Sequence, residues 1–237
     1  MNKEETVEPK NGSRFHFEMP GSVQGWRSSF KNNKNISTIV QNTEYESSIG
    51  KRALEIKFDR VAPGVCSEAV VDTFFPQELY ELTGSARERF FQSYNFISCP
   101  LLYSGQNIES EIIFKSNSQK PITVTCFINV FGEEDNYERI NSESVVLFPD
   151  KSQKLKWKIP STEGNPITQV GFSIESDEAN SGSLILNYLT FTGEPNCKFS
   201  KPNHIGKHKR GVKFSNAKMW KASWVDALDK WDSGERT

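Results

Sequence analysis

The sequence holds only three histidines and four cysteines, and it contains no unbroken apolar run of the ~18 residues that a membrane helix needs. None of Cys66, Cys99, Cys126 and Cys197 stands at C-x-x-C spacing, which excludes a zinc ribbon or a thioredoxin-like redox pair. Four thiols are too few to staple a chain of 237 residues, so all four are read as free, with Cys126 serving as a small buried hydrophobe inside an apolar strand pattern. His204 and His208 stand four apart, but no Glu follows the first, so the general base of a helical zinc hydrolase is missing. No nucleophile elbow, P-loop or dinucleotide fingerprint occurs. The first residues, MNKEETVEPKNGSRF, lack the apolar core of a secretory leader. An intracellular protein, a removed leader and a fragment all fit that observation, and localisation stays open. There is no excess of charge of either sign: 29 Lys and Arg oppose 30 Asp and Glu, for a net of −1. A surface concentrated enough to hold phosphates is therefore not expected, nor is a nucleic-acid or membrane partner.

The charge is unevenly spread. Residues 1–194 carry a net of −7, and residues 195–237 a net of +6. The expected organisation is a disordered N-terminal segment over 1–13, a main domain over 14–194, and a basic linker with a Trp-rich tail over 195–237. In the tail, KPNHIGKHKRGVK carries no interleaved aromatics that could stack bases. It is read as a solvated linker in preference to a docking arm. Trp220, Trp224, Leu228 and Trp231 then recur at helical spacing, as at the start of a further domain.

Between these ends the pattern is that of strands. Leu54, Ile56 and Phe58 alternate with Glu55 and Lys57, and Val170, Phe172 and Ile174 alternate with Gly171, Ser173 and Glu175. Ile122, Val124, Cys126, Ile128 and Val130 oppose Thr123, Thr125, Phe127, Asn129 and Phe131. From residue 108 onward, apolar runs follow one another, each bounded by Pro, Gly, Asn, Asp or Ser. Alternation with one dry and one wet face is the antiparallel signature. The fold expected is all-β: an antiparallel sandwich of jelly-roll type with a short helical or irregular C-terminal tail. Residues 14–18, 23–30, 36–40, 52–58 and 65–75 are read as further strands, QNTEYESSIG as a polar break, and residues 76–94 as a short helix or irregular excursion.

The opening FHFEMPGSVQGW, the β-rich succession and the closing SLILNYLTFTGEPN together resemble jelly-roll carbohydrate-binding modules of the galactose-binding-like type. The later run KMWKASWVDALDKW looks like the junction that follows such a module in proteins related to ADP-ribosylglycohydrolases. The Asp-Asp-Thr and Gly-Asp signatures of that family's catalytic domain are absent. The resemblance therefore implies a non-catalytic accessory module of a larger glycohydrolase-type protein, with a carbohydrate ligand and a neighbouring domain as partners. The alternative is a structural spacer or interaction domain that braces the neighbour through its tryptophans. In modules of this kind a calcium ion often ties the first and last strands together. Here that role would fall to Glu18 and Asn187, with Asn187 standing where an Asp is usual.

Sugar recognition needs an aromatic ring for the apolar sugar face and planar polar groups for the hydroxyls. The candidates for ligand binding are Trp26, Tyr103, Phe127, Asn129, Phe131 and Tyr137, with Gln169 and Arg139 as further hydrogen-bonding groups. Trp157 alternates with lysines and is read as core. Phe127, Asn129 and Phe131 share what reads as the wet face of one strand. A covering layer and a bound ligand are equally good reasons for aromatic residues there.

Overall fold

The computed structural model describes residues 13–29, 32, 37–47, 49–73, 102–131, 137–162 and 167–194. Several expectations fall elsewhere: the segment over 76–94, Cys99 and Cys197, both tail histidines, the Trp-rich run, and the side chains of Phe131 and Tyr137 all lie outside the described residues.

Ten strands follow in order: β1 (Arg27–Ser28), β2 (Thr38–Ser47), β3 (Gly50–Val61), β4 (Ser67–Asp72), β5 (Asn107–Lys115), β6 (Ile122–Phe131), β7 (Tyr137–Leu147), β8 (Ser152–Lys158), β9 (Ile167–Glu175) and β10 (Asn180–Thr192). They form two five-stranded sheets, β2-β3-β10-β5-β8 and β1-β4-β9-β6-β7. Every pairing between them is antiparallel. This is a β-sandwich, as the alternation predicts. Its core follows from side-chain period: Leu54, Ile56 and Phe58 of β3 and Leu184 and Leu186 of β10 point into the same cluster as Val124, Cys126 and Ile128 of β6 and Val170, Phe172 and Ile174 of β9.

Strand boundaries differ from the expectation in several places: the strand read over 23–30 is the two-residue β1, and that read over 65–75 is the six-residue β4. The run QNTEYES is part of β2. It is polar because β2 is an edge strand, where one face packs and the rest meets water. The segment around Phe15 pairs only through a single bridge to Leu189, so it is no continuous strand. It works instead as a plug. Gln24 Oε1 accepts the backbone N–H groups of both His16 and Phe17, at 2.9 Å each. Asn42 Nδ2 donates to the carbonyls of Phe17 and Ser22. These clamps hold Phe17 at φ 59° and Gln24 at φ 50°, a left-handed backbone that costs side-chain-bearing residues energy. The gain is an aromatic cluster. Phe15 meets Trp26 edge-on at 6.0 Å, and Trp26 stacks on Phe172 at 5.9 Å.

The edges are blunted. β1 has two residues, and β2 and β7 each carry an extra residue against their partners, at Glu44/Ser47 and opposite Thr125/Phe127. β8 presents Lys154, Lys156 and Lys158 in its outward positions opposite Glu111, Glu109 and Asn107. These are standard defences against strand-to-strand aggregation.

Trp26 is 2% exposed, and its indole Nε1 is buried without a hydrogen-bond partner among the described residues. A buried unmade donor costs about 1–3 kcal/mol. Trp26→Phe is therefore expected to keep the stacking and change stability by less than about 1 kcal/mol, because the lost area is offset by the removed donor. Trp26→Ala should cost about 3–5 kcal/mol. Chemical unfolding of the two variants reads the difference, and equal losses would refute this account of the plug. The Cys126 thiol is pushed up to about 12 by burial. It should resist alkylation at mildly alkaline pH until the protein is unfolded, as mass spectrometry of labelled samples would show.

Candidate functional site

The outward face of the β1-β4-β9-β6-β7 sheet carries a lattice of side chains that the core does not use. Antiparallel register arranges it in three rows. Arg27, Val70, Gly171, Phe127 and Asn141 lie side by side across the five strands. Asp72, Gln169, Asn129 and Arg139 form the row on one side, and Glu68, Ser173, Thr125 and Ser144 the row on the other.

Gly171 makes the middle row possible. A Cβ there would sit 2.4 Å from Phe127 Cζ and 2.8 Å from the carbonyl oxygen of Ala69. With no side chain on β9 at this point, the Phe127 ring lies across the strand. The guanidinium of Arg139 then stacks over that ring, 3.6 Å from its centroid. Arg139 is held at two further points: Nε donates to Asn141 Oδ1 at 2.9 Å, and Nη1 donates to Glu68 Oε1. Glu68 is itself fixed, because Asn32 accepts its backbone N–H at 2.7 Å and donates to its carbonyl at 2.9 Å.

The neighbouring row is a directional chain. Arg27 Nη2 donates to both oxygens of Asp72 at 3.1 Å. Asp72 accepts from Gln169 Nε2 at 2.7 Å, and Gln169 Oε1 accepts from Asn129 Nδ2 at 2.7 Å. A carboxylate can only accept, so Asp72 orients both amides. Asn129 Oδ1 is left buried without a partner.

The face expected to be wet on β6 is so only in part: Thr123 and Thr125 are half-exposed, but the next two residues on that face are not. Phe127 is 1% exposed and Asn129 is 6% exposed. β9 lies third of five strands, with Phe127 and Arg139 drawn across it, and both of its faces are buried from Ile167 to Ile174. Among the candidate residues, Phe127 and Asn129 come together here with Arg139 and Gln169. Trp26 does not: it lies in the core, and its expected role as a sugar platform is corrected by its burial against Phe172. Tyr103 is half-buried in a turn whose backbone is held by Gln106, away from these rows in register. Trp157 packs partly buried against the core, as expected. Phe131 and Tyr137 face each other as register partners at the ends of β6 and β7. Arg27, Glu68 and Asp72 were not singled out by sequence. The signal for Glu68 and Asp72 is the outward half of β4's alternation, hidden by Val70 between them; Arg27 lies on the two-residue β1, too short for any alternation.

The two residues expected to hold calcium both make hydrogen bonds within the protein. Glu18 Oε2 and Oε1 accept the backbone N–H groups of Lys51 and Arg52. Asn187 Nδ2 donates to Glu111 Oε2 at 2.7 Å. Calcium takes about 6–8 oxygens, several of them carboxylate. No cluster of three or more His, Cys, Asp or Glu that could hold a metal occurs among the described residues. Elsewhere, a groove of about 780 Å³ is lined by Arg60, Lys115, Asp150, Asn180 and Ser181 among others, with Lys115 bonded to Asp150 and no aromatic side chain among the described lining residues.

No protein-family model matches the chain, and no curated protein matches it. Solved structures do. A structure of carbohydrate-binding modules from the β-sandwich superfamily superposes with a TM-score of 0.53 at 14% identity, covering 77% of this chain and 62% of that one. The C-terminal family 22 carbohydrate-binding module of Clostridium thermocellum Xyn10B gives a TM-score of 0.47 at 12% identity, covering 76% of this chain and 94% of that one. The CBM22-1 xylan-binding domain of Paenibacillus barcinonensis Xyn10C gives 0.45 at 13% identity, covering 75% and 90%. The first of these supports the fold: the described residues form a β-sandwich similar to that of the carbohydrate-binding modules in that structure.

Gly171→Ala tests the construction of the face. The methyl would meet a backbone oxygen that cannot swing aside, so a loss of about 1–3 kcal/mol is expected. The Phe127 ring should also lose its fixed seat, visible as altered ring-proton shifts by NMR. A variant of unchanged stability and spectrum would contradict the stacking.

Proposed function

We propose that this chain is a non-catalytic carbohydrate-binding accessory module, and that it binds glycan at the outward face built around Arg139. The observation that carries the reading is the three-point seating of Arg139 on a module-type sandwich. Phe127 lies beneath its guanidinium, Asn141 holds Nε and Glu68 holds Nη1. A guanidinium fixed in this way offers its remaining N–H groups to a sugar oxygen without first losing rotamer freedom, which is how preorganisation raises affinity. Arg27 and Asp72, each about one-fifth exposed, extend the polar surface along the neighbouring row. Asn129 and Gln169 support them from below.

The site residues proposed are therefore Arg139, Arg27 and Asp72, on a foundation of Phe127 and Asn129. Phe131 and Tyr137, at the strand ends beside Arg139, remain proposed as ring donors, and Tyr103 as a contact from outside the three rows. A neighbouring catalytic domain related to ADP-ribosylglycohydrolases belongs to the same proposal. It rests on the run KMWKASWVDALDKW, which lies outside the described residues.

Calorimetric titration of the full chain with a panel of uncharged oligosaccharides, xylohexaose and cellohexaose among them, is the test. The expected result is weak, saturable binding that falls at least about ten-fold in Arg139→Ala, the worth of one hydrogen bond to a charged group. Trp26→Phe should bind as the parent does. No binding to any glycan by the folded parent would overturn the reading.

A further inference from the structure

Four side chains in the three rows of the outward face are charged: Arg27, Asp72, Arg139 and Glu68. They close into two ion pairs. Arg27 meets Asp72 through both carboxylate oxygens, and Arg139 meets Glu68. The two pairs are not equivalent. Asp72 is also needed to orient Gln169 and, through it, Asn129. Glu68 has no such second side-chain task toward the rows. Its side chain is 7% exposed, against 29% for Arg139, so the anion is sunk beneath the cation. The cost of sinking a carboxylate is met by the guanidinium it bonds. Its backbone is held on both sides by Asn32, which fixes the point on β4 from which the carboxylate reaches Arg139. Nη2 of Arg139 makes no hydrogen bond among the described residues.

We propose that Glu68 is a specificity-determining residue: by neutralising Arg139 from below, it makes the face select uncharged glycans and reject acidic ones. The inference rests on the carbohydrate-binding reading above. An unpaired, rigid guanidinium is the natural receptor for a carboxylate or sulfate, which it grips through two parallel N–H bonds. With Nη1 bonded to Glu68 and Nε to Asn141, each two-pronged grip that Nη2 could complete already has its other nitrogen engaged. A uronate approaching the outer edge meets an attractive charge and, one guanidinium width behind it, a repulsive one. A hydroxyl is indifferent to that second charge. Glu68 thus acts as the repulsive element that specificity needs in addition to attraction.

The test uses the full chain, with uncharged xylohexaose and anionic hexagalacturonate as probes. The parent is expected to bind xylohexaose and to bind hexagalacturonate at least about ten-fold more weakly. In Glu68→Gln the ratio should move toward hexagalacturonate by about ten-fold or more, and the gained binding should weaken with added salt, as exposed charge attraction does. In an Arg139→Gln background the same Glu68→Gln change should move the ratio clearly less, since no guanidinium remains to attract the uronate. Thermal unfolding checks that each variant is folded. If Glu68→Gln is not, Arg139→Gln alone still decides: it should weaken xylohexaose binding about ten-fold without any gain for hexagalacturonate. Xylohexaose binding by the parent together with an unmoved ratio in Glu68→Gln overturns the role of Glu68 and leaves the carbohydrate reading standing. Binding of neither probe by the parent overturns both.

Discussion

The missing side chain at position 171 governs the outward sheet face. β9 is the middle strand of its sheet, and any Cβ at Gly171 would collide with a ring and a backbone oxygen at once. Because there is none, Phe127 folds flat over the strand, and Arg139 folds flat over Phe127. The three stacked groups carry a long flexible cation across the sheet to Glu68 on β4 and hold it there. Stacking and two hydrogen bonds remove most of the freedom that an arginine ordinarily loses only on binding. Rigidity that would otherwise have to come from the ligand is already part of the fold.

The same face shows how a β-sandwich can bury charge without losing stability. Each arginine is bonded to a carboxylate, and each carboxylate is fixed by groups beyond the pair: Asp72 by Gln169, and Glu68 through Asn32. Paired and hydrogen-bonded charge is tolerated where isolated charge is not. The sandwich beneath supplies the platform, with core residues from both sheets interleaved and an N-terminal plug of Phe15, Phe17 and Trp26 packed against Phe172 and Phe191. The apolar core and the polar lattice are therefore divided between the two faces of one sheet, as side-chain alternation allows.

That alternation is also why the architecture was readable in advance. In β3, β6 and β10 the inward residues are mostly Leu, Ile, Val and Phe, with Cys126 among them, and period two leaves little choice of side. The polar run of β2 was read as a break because an edge strand needs few apolar residues. The site was half legible. Phe127 and Asn129 stood out as an aromatic and an amide on the outward side of β6. Their burial did not, because it depends on Gly171, forty-odd positions further along the chain, and on Arg139 in the adjoining strand. Trp26 was misjudged for a related reason: Gly-Trp at a turn suits an exposed platform as well as a plug, and only the Gln24 and Asn42 clamps decide between them. Glu68 and Asp72 flank Val70 in a strand buried on both faces, so no periodic signal marks them.

The central claim is that Arg139, held flat on Phe127, is the group that meets the ligand. Nitrogen-15 NMR of the full chain, following the side-chain Nε–H of Arg139 and the side-chain amides of Asn129 and Gln169 during titration with xylohexaose, tests it most directly. The account predicts an Arg139 Nε–H signal that is sharp and slowly exchanging before any sugar is added, and that this signal and the Asn129 amide shift together as the sugar binds. A broad, solvent-averaged Arg139 signal, or binding that moves other resonances and leaves these three in place, would contradict it.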